Sequence, residues 1–228
     1  MNVTVIFEDN HIIVVEKPFG VPSQEDLTGD IDLLTMTKDY IKHTYNKPGN
    51  VYLGLVHRLD RVTGGVMVFA KTSKAASRLS EEIRSQRMKK YYLAVVEGHL
   101  PSKSGVWEDF LHKNKKLNIV TVCSKEKRDA KYACLEYEVL AEKDGLSLVL
   151  IRLRTGRSHQ IRVQFSSRGF ALTGDKKYGS SFPLKGYIGL WSCKIGIDHP
   201  TLHQELFFSS HPRIHPFDIF GETLDGLS

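Results

Sequence analysis

The stretch HRLDRVTGG, residues 57–65, places one carboxylate, Asp60, between two arginines, with apolar runs on both sides. The guanidinium groups of Arg58 and Arg61 favour the ionised form of this carboxylate. An ionised and partly desolvated carboxylate can act as a nucleophile or as a base, so the stretch indicates a reactive site. A structural ion pair between Asp60 and a neighbouring arginine is the alternative interpretation.

The Thr-Gly-Gly run of the same stretch, residues 63–65, has two readings, phosphate binding and a turn. No Lys-Ser or Lys-Thr pair follows the glycines, so the run lacks the pattern of a P-loop. We therefore expect Gly64 and Gly65 to serve a tight turn.

A second group of polar residues lies in IRLRTGRSHQIRVQF, residues 151–165. It contains four arginines, a histidine and a glutamine: Arg152, Arg154, Arg157, Arg162, His159 and Gln160. Arginines on a strand, a turn and the start of a helix are typical of a phosphate-binding surface, and a solvated basic face is the alternative. Ile161 and Val163 flank Arg162, which predicts that this arginine is buried and paired with a carboxylate. Asp60 is the partner that we predict.

A third stretch, RSQRMKKYYLAVVEG at residues 84–98, runs from a basic helix end into an apolar strand. Because side chains alternate along a strand, Tyr91 and Tyr92 are expected on opposite faces, and only one can point at a given site. An aromatic ring beside Lys89 and Lys90 suits stacking on an extruded base. A tyrosine of the core is the alternative for either residue.

Short apolar runs predict many strands and few helices. The predicted strands are residues 3–7, 11–16, 51–56, 66–70, 91–96, 106–111, 117–122, 132–140, 146–153, 190–195 and 202–208, and the predicted helices are 33–45, 73–88 with Ser73 as N-cap, and 158–168. The strands outnumber the helices and arrive in consecutive runs. The sequence therefore predicts an α+β fold, a mostly antiparallel sheet flanked by helices, in one continuous domain over residues 1–228.

The chain has 228 residues, a net charge of +6 and a pI of about 9.1. A basic excess of this kind indicates nucleic acid or another polyanion as a partner. The three cysteines are widely spaced without a C-x-x-C pair, so neither a zinc ribbon nor a disulfide framework is indicated. The apolar runs are too short to span a membrane, and the first residues lack the pattern of a signal peptide. We expect a soluble, cytoplasmic protein.

Two pairs of histidines have the four-residue spacing that a helical metal site uses. They are His199 with His203, and His211 with His215. Proline and strand-forming residues interrupt both pairs, so we predict that no metal is bound.

Taken together, these stretches resemble the RluA family of RNA pseudouridine synthases. The resemblance rests on short motifs in the family order that span nearly the whole chain: EKPFG (16–20), HRLDRVTGG (57–65), KKYYLAVVEG (89–98), RTGRSHQIRVQ (154–164), GDKKYG (174–179) and LHQELFFSSHP (202–212). It implies the pseudouridine synthase catalytic fold with a central RNA-binding cleft. This sequence has Thr-Gly-Gly where the family usually has Thr-Ser-Gly, Gln164 where histidine is common, and GFALTGD in place of GHPIxGD. These departures leave the identity of the substrate open.

The resemblance also implies a role for individual residues. Asp60 would be the catalytic aspartate, acting on the ribose either as a nucleophile at the anomeric carbon or as the base that starts a glycal-forming elimination. Tyr92 would stack on the target base and assist proton removal at carbon 5, and Arg162 would pair with the aspartate. Arg58 would fill the gap left by the flipped uridine.

The implied substrate is RNA, either ribosomal or transfer RNA. The expected RNA-binding residues are Arg58, Arg61, Lys89, Lys90, Arg154, Arg157 and His159, with the connection 113–116 adding further phosphate contacts. An isomerisation has no net redox change and no external group donor, so no cofactor is expected. The first motif begins at Glu16, so we expect no N-terminal accessory RNA-binding domain, and a monomer.

Two other classes of protein fit parts of the pattern. A non-catalytic RNA-binding or ribosome-assembly protein would keep the fold, but it needs no carboxylate facing RNA phosphates. A phosphatase with an aspartate nucleophile would need further acids to hold a divalent metal, and the loop of Asp60 contains no other acid.

Overall fold

The computed structural model describes residues 3–227. The strands are β1 (Thr4–Glu8), β2 (Ile12–Lys17), β3 (Gly54–Leu55), β4 (Gly64–Ala70), β5 (Lys89–Glu97), β6 (Ser104–Asn114), β7 (Ile119–Cys123), β8 (Lys131–Lys143), β9 (Leu146–Leu153), β10 (Leu190–Asp198) and β11 (Glu205–Ser209). The α-helices are α1 (Leu33–Thr44), α2 (Ser73–Arg84), α3 (Gln160–Ser166) and α4 (Gly221–Asp225). The predicted α+β class is confirmed.

The chain forms two compact units. The first unit comprises residues 1–89 and 192–210, and the second comprises residues 90–191 and 211–228. The single continuous domain over residues 1–228 stays a prediction. Within residues 3–227, no helix is long and apolar enough to cross a membrane.

In the first unit, β2 pairs antiparallel with both β1 and β4, and β10 pairs antiparallel with β11. The run GGVMVFA of β4 is buried along its whole length, because both of its faces are covered. Helix α2 contributes Ala75 and Leu79 to a core that includes Val66 and Val68 of β4. This packing fixes the start of β4, which follows directly after the Asp60 loop.

The glycines of the Thr-Gly-Gly run do not form the tight turn that the sequence predicted. They begin β4, and Gly65 has a φ of +116°, a conformation that strongly favours glycine. A Cβ on Gly65 would lie 2.2 Å from the carbonyl oxygen of Ser192. Glycine is therefore required here for a close approach of backbones, and the turn lies just before it, where the Thr63 N–H donates to the Asp60 carbonyl at 2.9 Å.

Helix α2 differs from its prediction at both ends. Thr72, not Ser73, is the N-cap, and its side chain accepts from the Ala75 N–H. The helix ends at Arg84 instead of Met88, because Gln86 has a φ of +58° and turns the chain towards β5.

The second unit contains an antiparallel array in the order β5, β9, β8, β6, β7. Asp144 and Gly145, both with positive φ, form the two-residue turn between β8 and β9, which is the turn that Asp-Gly favours. The predicted helix over 158–168 is shorter than expected, because His159 has a φ of +50° and stands as its N-cap. Helix α4 was not predicted from the sequence.

Candidate active site

Asp60 lies in a loop of the first unit whose backbone is held on both sides. The hydroxyl of Ser23 accepts from the Leu59 N–H at 3.1 Å and donates to the Leu59 carbonyl at 2.8 Å. Upstream, Nε2 of His57 accepts from the Val68 N–H of β4 at 3.1 Å. Leu59 is buried and Asp60 is half-buried. The loop therefore presents a partly exposed carboxylate from a fixed backbone.

Lys17, at the end of β2, is the largest fully buried side chain next to this loop. Its Nζ donates to three carbonyl oxygens, those of Val21 at 2.6 Å, Pro18 at 3.0 Å and Arg61 at 3.2 Å. Burial lowers the pKa of Lys17 to about 7, the negative charge of Asp60 raises it, and the charge of Arg61 lowers it. The sequence analysis quoted Lys17 in EKPFG but gave it no role. Its only signal was a lysine two positions after the apolar run IIVV.

The two arginines beside Asp60 have different surroundings. Arg58 is exposed. Arg61 donates through Nη1 to Thr28 Oγ1 at 2.9 Å and forms an ion pair with Asp30. Arg61, which was predicted to bind RNA, therefore contacts the segment 28–30 of the same unit.

Arg162 of the second unit is buried, as the sequence predicted. Its Nε lies 2.6 Å from Asp175 Oδ2 and its Nη2 lies 2.8 Å from Asp175 Oδ1, a bidentate ion pair. The guanidinium also lies over the ring of Tyr178, 5.0 Å from its centroid. Pairing with Asp60, a residue of the other unit, stays a prediction. The sequence analysis quoted Asp175 only within the motif GDKKYG and gave it no role.

The hydroxyl of Tyr178 connects three elements of the second unit. It accepts from the Val120 N–H of β7 at 2.9 Å and lies 2.8 Å from Nδ1 of His159. His159, predicted to bind RNA, is thus half-buried against a tyrosine. Its neighbour Gln160 is a structural residue, because its Oε1 accepts from Thr155 Oγ1 at 2.8 Å and from the Arg157 N–H at 3.0 Å.

The two tyrosines of β5 have different environments, as strand alternation predicted. Tyr92 is buried, with 7% of its surface exposed, and is paired with Ile151 of β9. Tyr91 is half-buried, and the guanidinium of Arg152 lies 5.9 Å from its ring centroid. Burial lowers the pKa of Lys90, the preceding residue, and the nearby charge of Arg157 lowers it further.

The arginines of residues 151–165 make different contacts within the second unit, and phosphate binding by them stays a prediction. Arg154 and Arg152 both pair with Glu136, at 2.5 Å and 3.7 Å. Arg157 donates through Nε to the Tyr132 carbonyl at 2.8 Å, and Arg162 is buried. Among the other predicted RNA-binding residues, Lys89 pairs with Glu205 of the first unit at 2.5 Å.

Gln164, a departure from the family motif, has a structural position. It is buried in α3, and its Nε2 donates to Asp109 Oδ2 on β6 at 2.7 Å. Asp109 also pairs with Arg168 at 3.0 Å. The glutamine therefore ties α3 to the sheet.

One histidine of each pair contacts a carboxylate, His199 with Asp9 and His215 with Asp218. Nε2 of His199 lies 2.8 Å from Asp9 Oδ2, and its Nδ1 accepts from the Leu202 N–H at 3.0 Å. In the described part of the chain, no three His, Cys, Asp or Glu side chains are grouped as metal ligands.

Comparison with known proteins agrees with this description. The model of the RNA pseudouridylate synthase family matches residues 11–167. A Bacillus subtilis (strain 168) protein named "Uncharacterized RNA pseudouridine synthase YhcT" is 32% identical over 219 residues, covering 91% of this chain and 68% of the relative. "Ribosomal large subunit pseudouridine synthase D" of Borreliella burgdorferi is 30% identical over 217 residues, covering 92% of this chain and 66% of that protein.

Among solved structures, "Human RNA Pseudouridylate Synthase Domain Containing 4" matches with a TM-score of 0.77 and 23% identity. The match covers 98% of this chain and 92% of that one, and it shows the fold.

The chain is thus an enzyme of the isomerase class, and it belongs to the RluA family of RNA pseudouridine synthases. The resemblance inferred from the six sequence motifs, and the catalytic fold that it implied, are confirmed. The chain spans about two thirds of the length of the two curated relatives described above.

Proposed function

We propose that this chain converts uridine to pseudouridine in ribosomal RNA, with Asp60 as the catalytic residue. The name of the Borreliella burgdorferi relative supports ribosomal RNA as the substrate class. The observation that carries the assignment of Asp60 is the construction of its loop. A half-buried carboxylate stands on a backbone fixed by Ser23, by His57 and, through the Arg61 carbonyl, by Lys17.

Asp60 acts at the ribose of the target nucleotide. In the isomerisation, the bond between C1′ and N1 of uracil breaks, and a bond between C1′ and C5 forms. The C5 proton leaves and N1 gains a proton, so atoms and electrons balance without an oxidant or a reductant. Asp60 attacks C1′ directly or removes the C2′ proton, and both routes need an ionised carboxylate on a fixed loop. Lys17 helps to fix this loop, because its buried Nζ donates to the Arg61 carbonyl at 3.2 Å.

Tyr92 and Arg162 have separate roles in the second unit. Tyr92 stacks on the target base and assists proton removal at C5, consistent with a ring whose rotation is limited by burial. Arg162 is a positioning residue whose guanidinium is oriented by Asp175 and by the ring of Tyr178. Arg58, which is exposed, is available to replace the flipped uridine in the base stack.

Mapping pseudouridine on RNA tests the proposal. Total cellular RNA that lacks the modification is incubated with the protein, and carbodiimide adducts are mapped for the wild type, for Asp60→Asn and for Asp39→Asn. Asp39 is an exposed residue of α1 and serves as the matched control. New adducts in ribosomal RNA are expected for the wild type and for Asp39→Asn, and none for Asp60→Asn.

Three other results are informative. Adducts only in transfer RNA would keep the activity and reject ribosomal RNA as the substrate. Adducts formed by Asp60→Asn would reject the assignment of the catalytic residue. Binding of RNA by the wild type without adducts on any RNA would favour the non-catalytic RNA-binding protein.

A further inference from the structure

We propose that an exposed group of five lysines in the second unit binds the phosphodiester backbone of the RNA that flanks the target nucleotide. We call this group the lysine face, and it consists of Lys113, Lys115, Lys116, Lys176 and Lys177. The inference rests on the proposed function and deepens it. It identifies the surface that binds RNA phosphates, and such contacts do not depend on the RNA sequence.

Two chain segments build the lysine face. The first is the turn between β6 and β7, and the second is the 3₁₀ turn Lys176–Tyr178. Nζ of Lys177 donates to the Asn118 carbonyl at 3.3 Å, and the Tyr178 hydroxyl accepts from the Val120 N–H at 2.9 Å. Tyr178 and Val120 also share a buried apolar cluster. The fold therefore brings together lysines that are about 60 residues apart in sequence.

The positive charges of the lysine face are not compensated by the protein. Within residues 3–227, no ion pair joins any of the five lysines to a carboxylate, and residues 112–123 and 176–188 contain no Asp or Glu. Two lysines elsewhere differ, since Lys71 pairs with Glu8 at 2.5 Å and Lys103 pairs with Glu142 at 2.7 Å. Five uncompensated charges on one surface create a positive potential that attracts a polyanion.

The chemistry of the lysine face fits a phosphate backbone better than a base edge. A lysine ammonium is a compact charge on a flexible stem, and it binds phosphate oxygens without the fixed geometry that base recognition needs. Within the second unit, the lysine face also lies near Arg162. Tyr178 is the last residue of the 3₁₀ turn that carries Lys176 and Lys177, and its ring lies against the guanidinium of Arg162. The lysine face is therefore linked through Tyr178 to Arg162.

A salt titration of RNA binding tests the inference. The triple variant Lys115→Ala, Lys116→Ala, Lys176→Ala removes three exposed side chains, and a thermal melt verifies that it folds. The matched control is Lys42→Ala, Lys47→Ala, Lys74→Ala, which removes the same charge from exposed positions of the first unit. For each protein, Kd for an RNA substrate is measured from 50 to 300 mM salt, and pseudouridine formation is measured in parallel.

Each phosphate contact contributes roughly 0.7 to the slope of log K against log salt for single-stranded RNA. The slope of the triple variant is therefore expected to fall by about 2, with Kd at least about tenfold weaker near physiological salt, while the control keeps the wild-type slope. An unchanged slope in the triple variant, or an equal loss in the control, would overturn the inference. Both outcomes leave wild-type pseudouridine formation intact, whereas failure of the proposed function abolishes it.

Discussion

Each unit of the molecule contributes a buried cation to the proposed site, and the two cations are held by different means. In the first unit, Lys17 is held by three backbone carbonyls. In the second, Arg162 is held by the buried carboxylate of Asp175 in a bidentate pair. Guanidinium remains charged at all accessible pH values, whereas a buried ammonium can lose its proton. The charge of the cation beside the Asp60 loop therefore depends on pH. The charge at the centre of the Arg162 cluster, which consists of Arg162, Asp175 and Tyr178, does not.

The largest expected effect is in the Arg162 cluster. Asp175→Ala removes the bidentate carboxylate from a buried guanidinium and is expected to lower the free energy of unfolding by about 3–5 kcal/mol. Urea denaturation of the purified wild type and variant measures this loss of free energy of unfolding. The double variant Asp175→Leu, Arg162→Met removes both charges and should recover much of the loss. Equal instability of the single and double variants would contradict a dominant charge effect.

Lys17→Met tests whether Lys17 makes the free energy of unfolding depend on pH. The folded-state pKa of Lys17, about 7, lies below its ordinary value of 10.5. Between these values the unfolded chain binds more protons, so the free energy of unfolding rises with pH above 7, by up to about 1.4 kcal/mol per pH unit. Methionine at position 17 removes this contribution. Urea denaturation from pH 6 to pH 9 is expected to show a steeper rise in the wild type than in the variant, and parallel curves would be the opposing result.

The smallest expected change in the free energy of unfolding is at Glu82 of α2. Unlike Asp175, this buried carboxylate has no bidentate ion pair with an arginine among residues 3–227. Burial raises the pKa of Glu82 to about 7, although the Asp198 N–H, which donates to its Oε1 at 3.0 Å, lowers it. Stability is therefore lost as pH rises from about 4.5 to 7 and stays low above that.

Glu82→Gln keeps an acceptor for the Asp198 N–H and should stabilise the protein by about 1 kcal/mol at pH 8, with no gain at pH 4. Glu81→Gln, at an exposed neighbouring position, is the control. Thermal melts at the two pH values separate the variants, and a gain at pH 4 equal to that at pH 8 would exclude the linkage.

The sequence predicted the elements well where local chemistry decides them. The bounds of β9 agree with the prediction, because an Asp-Gly turn precedes an apolar run. Helix α2 was placed to within one residue at its start, where two adjacent residues, Thr72 and Ser73, are both good caps. Its end was missed because a positive φ at Gln86 depends on tertiary packing.

The site was predicted less completely, because the residues that hold its side chains in place are distant in sequence. Asp60 and Tyr92 stand in motifs that can be recognised from residue types. Asp175 is 13 residues from Arg162, and its role depends on how the 3₁₀ turn folds back. Burial of Lys17 depends on carbonyls as far away as Arg61, 44 residues along the chain. Gly65 was assigned to a turn because sequence does not show the approach of Ser192.

The central claim, that Asp60 carries the chemistry, is tested most directly by single-turnover release of tritium from RNA containing uridine tritiated at C5. Formation of the C1′–C5 bond requires loss of this hydrogen. RNA binding is measured on the same preparations of wild type and Asp60→Asn. We expect the wild type to release tritium and Asp60→Asn to release none, although Asp60→Asn still binds the RNA with wild-type affinity. Release by Asp60→Asn at the wild-type rate would contradict the central claim.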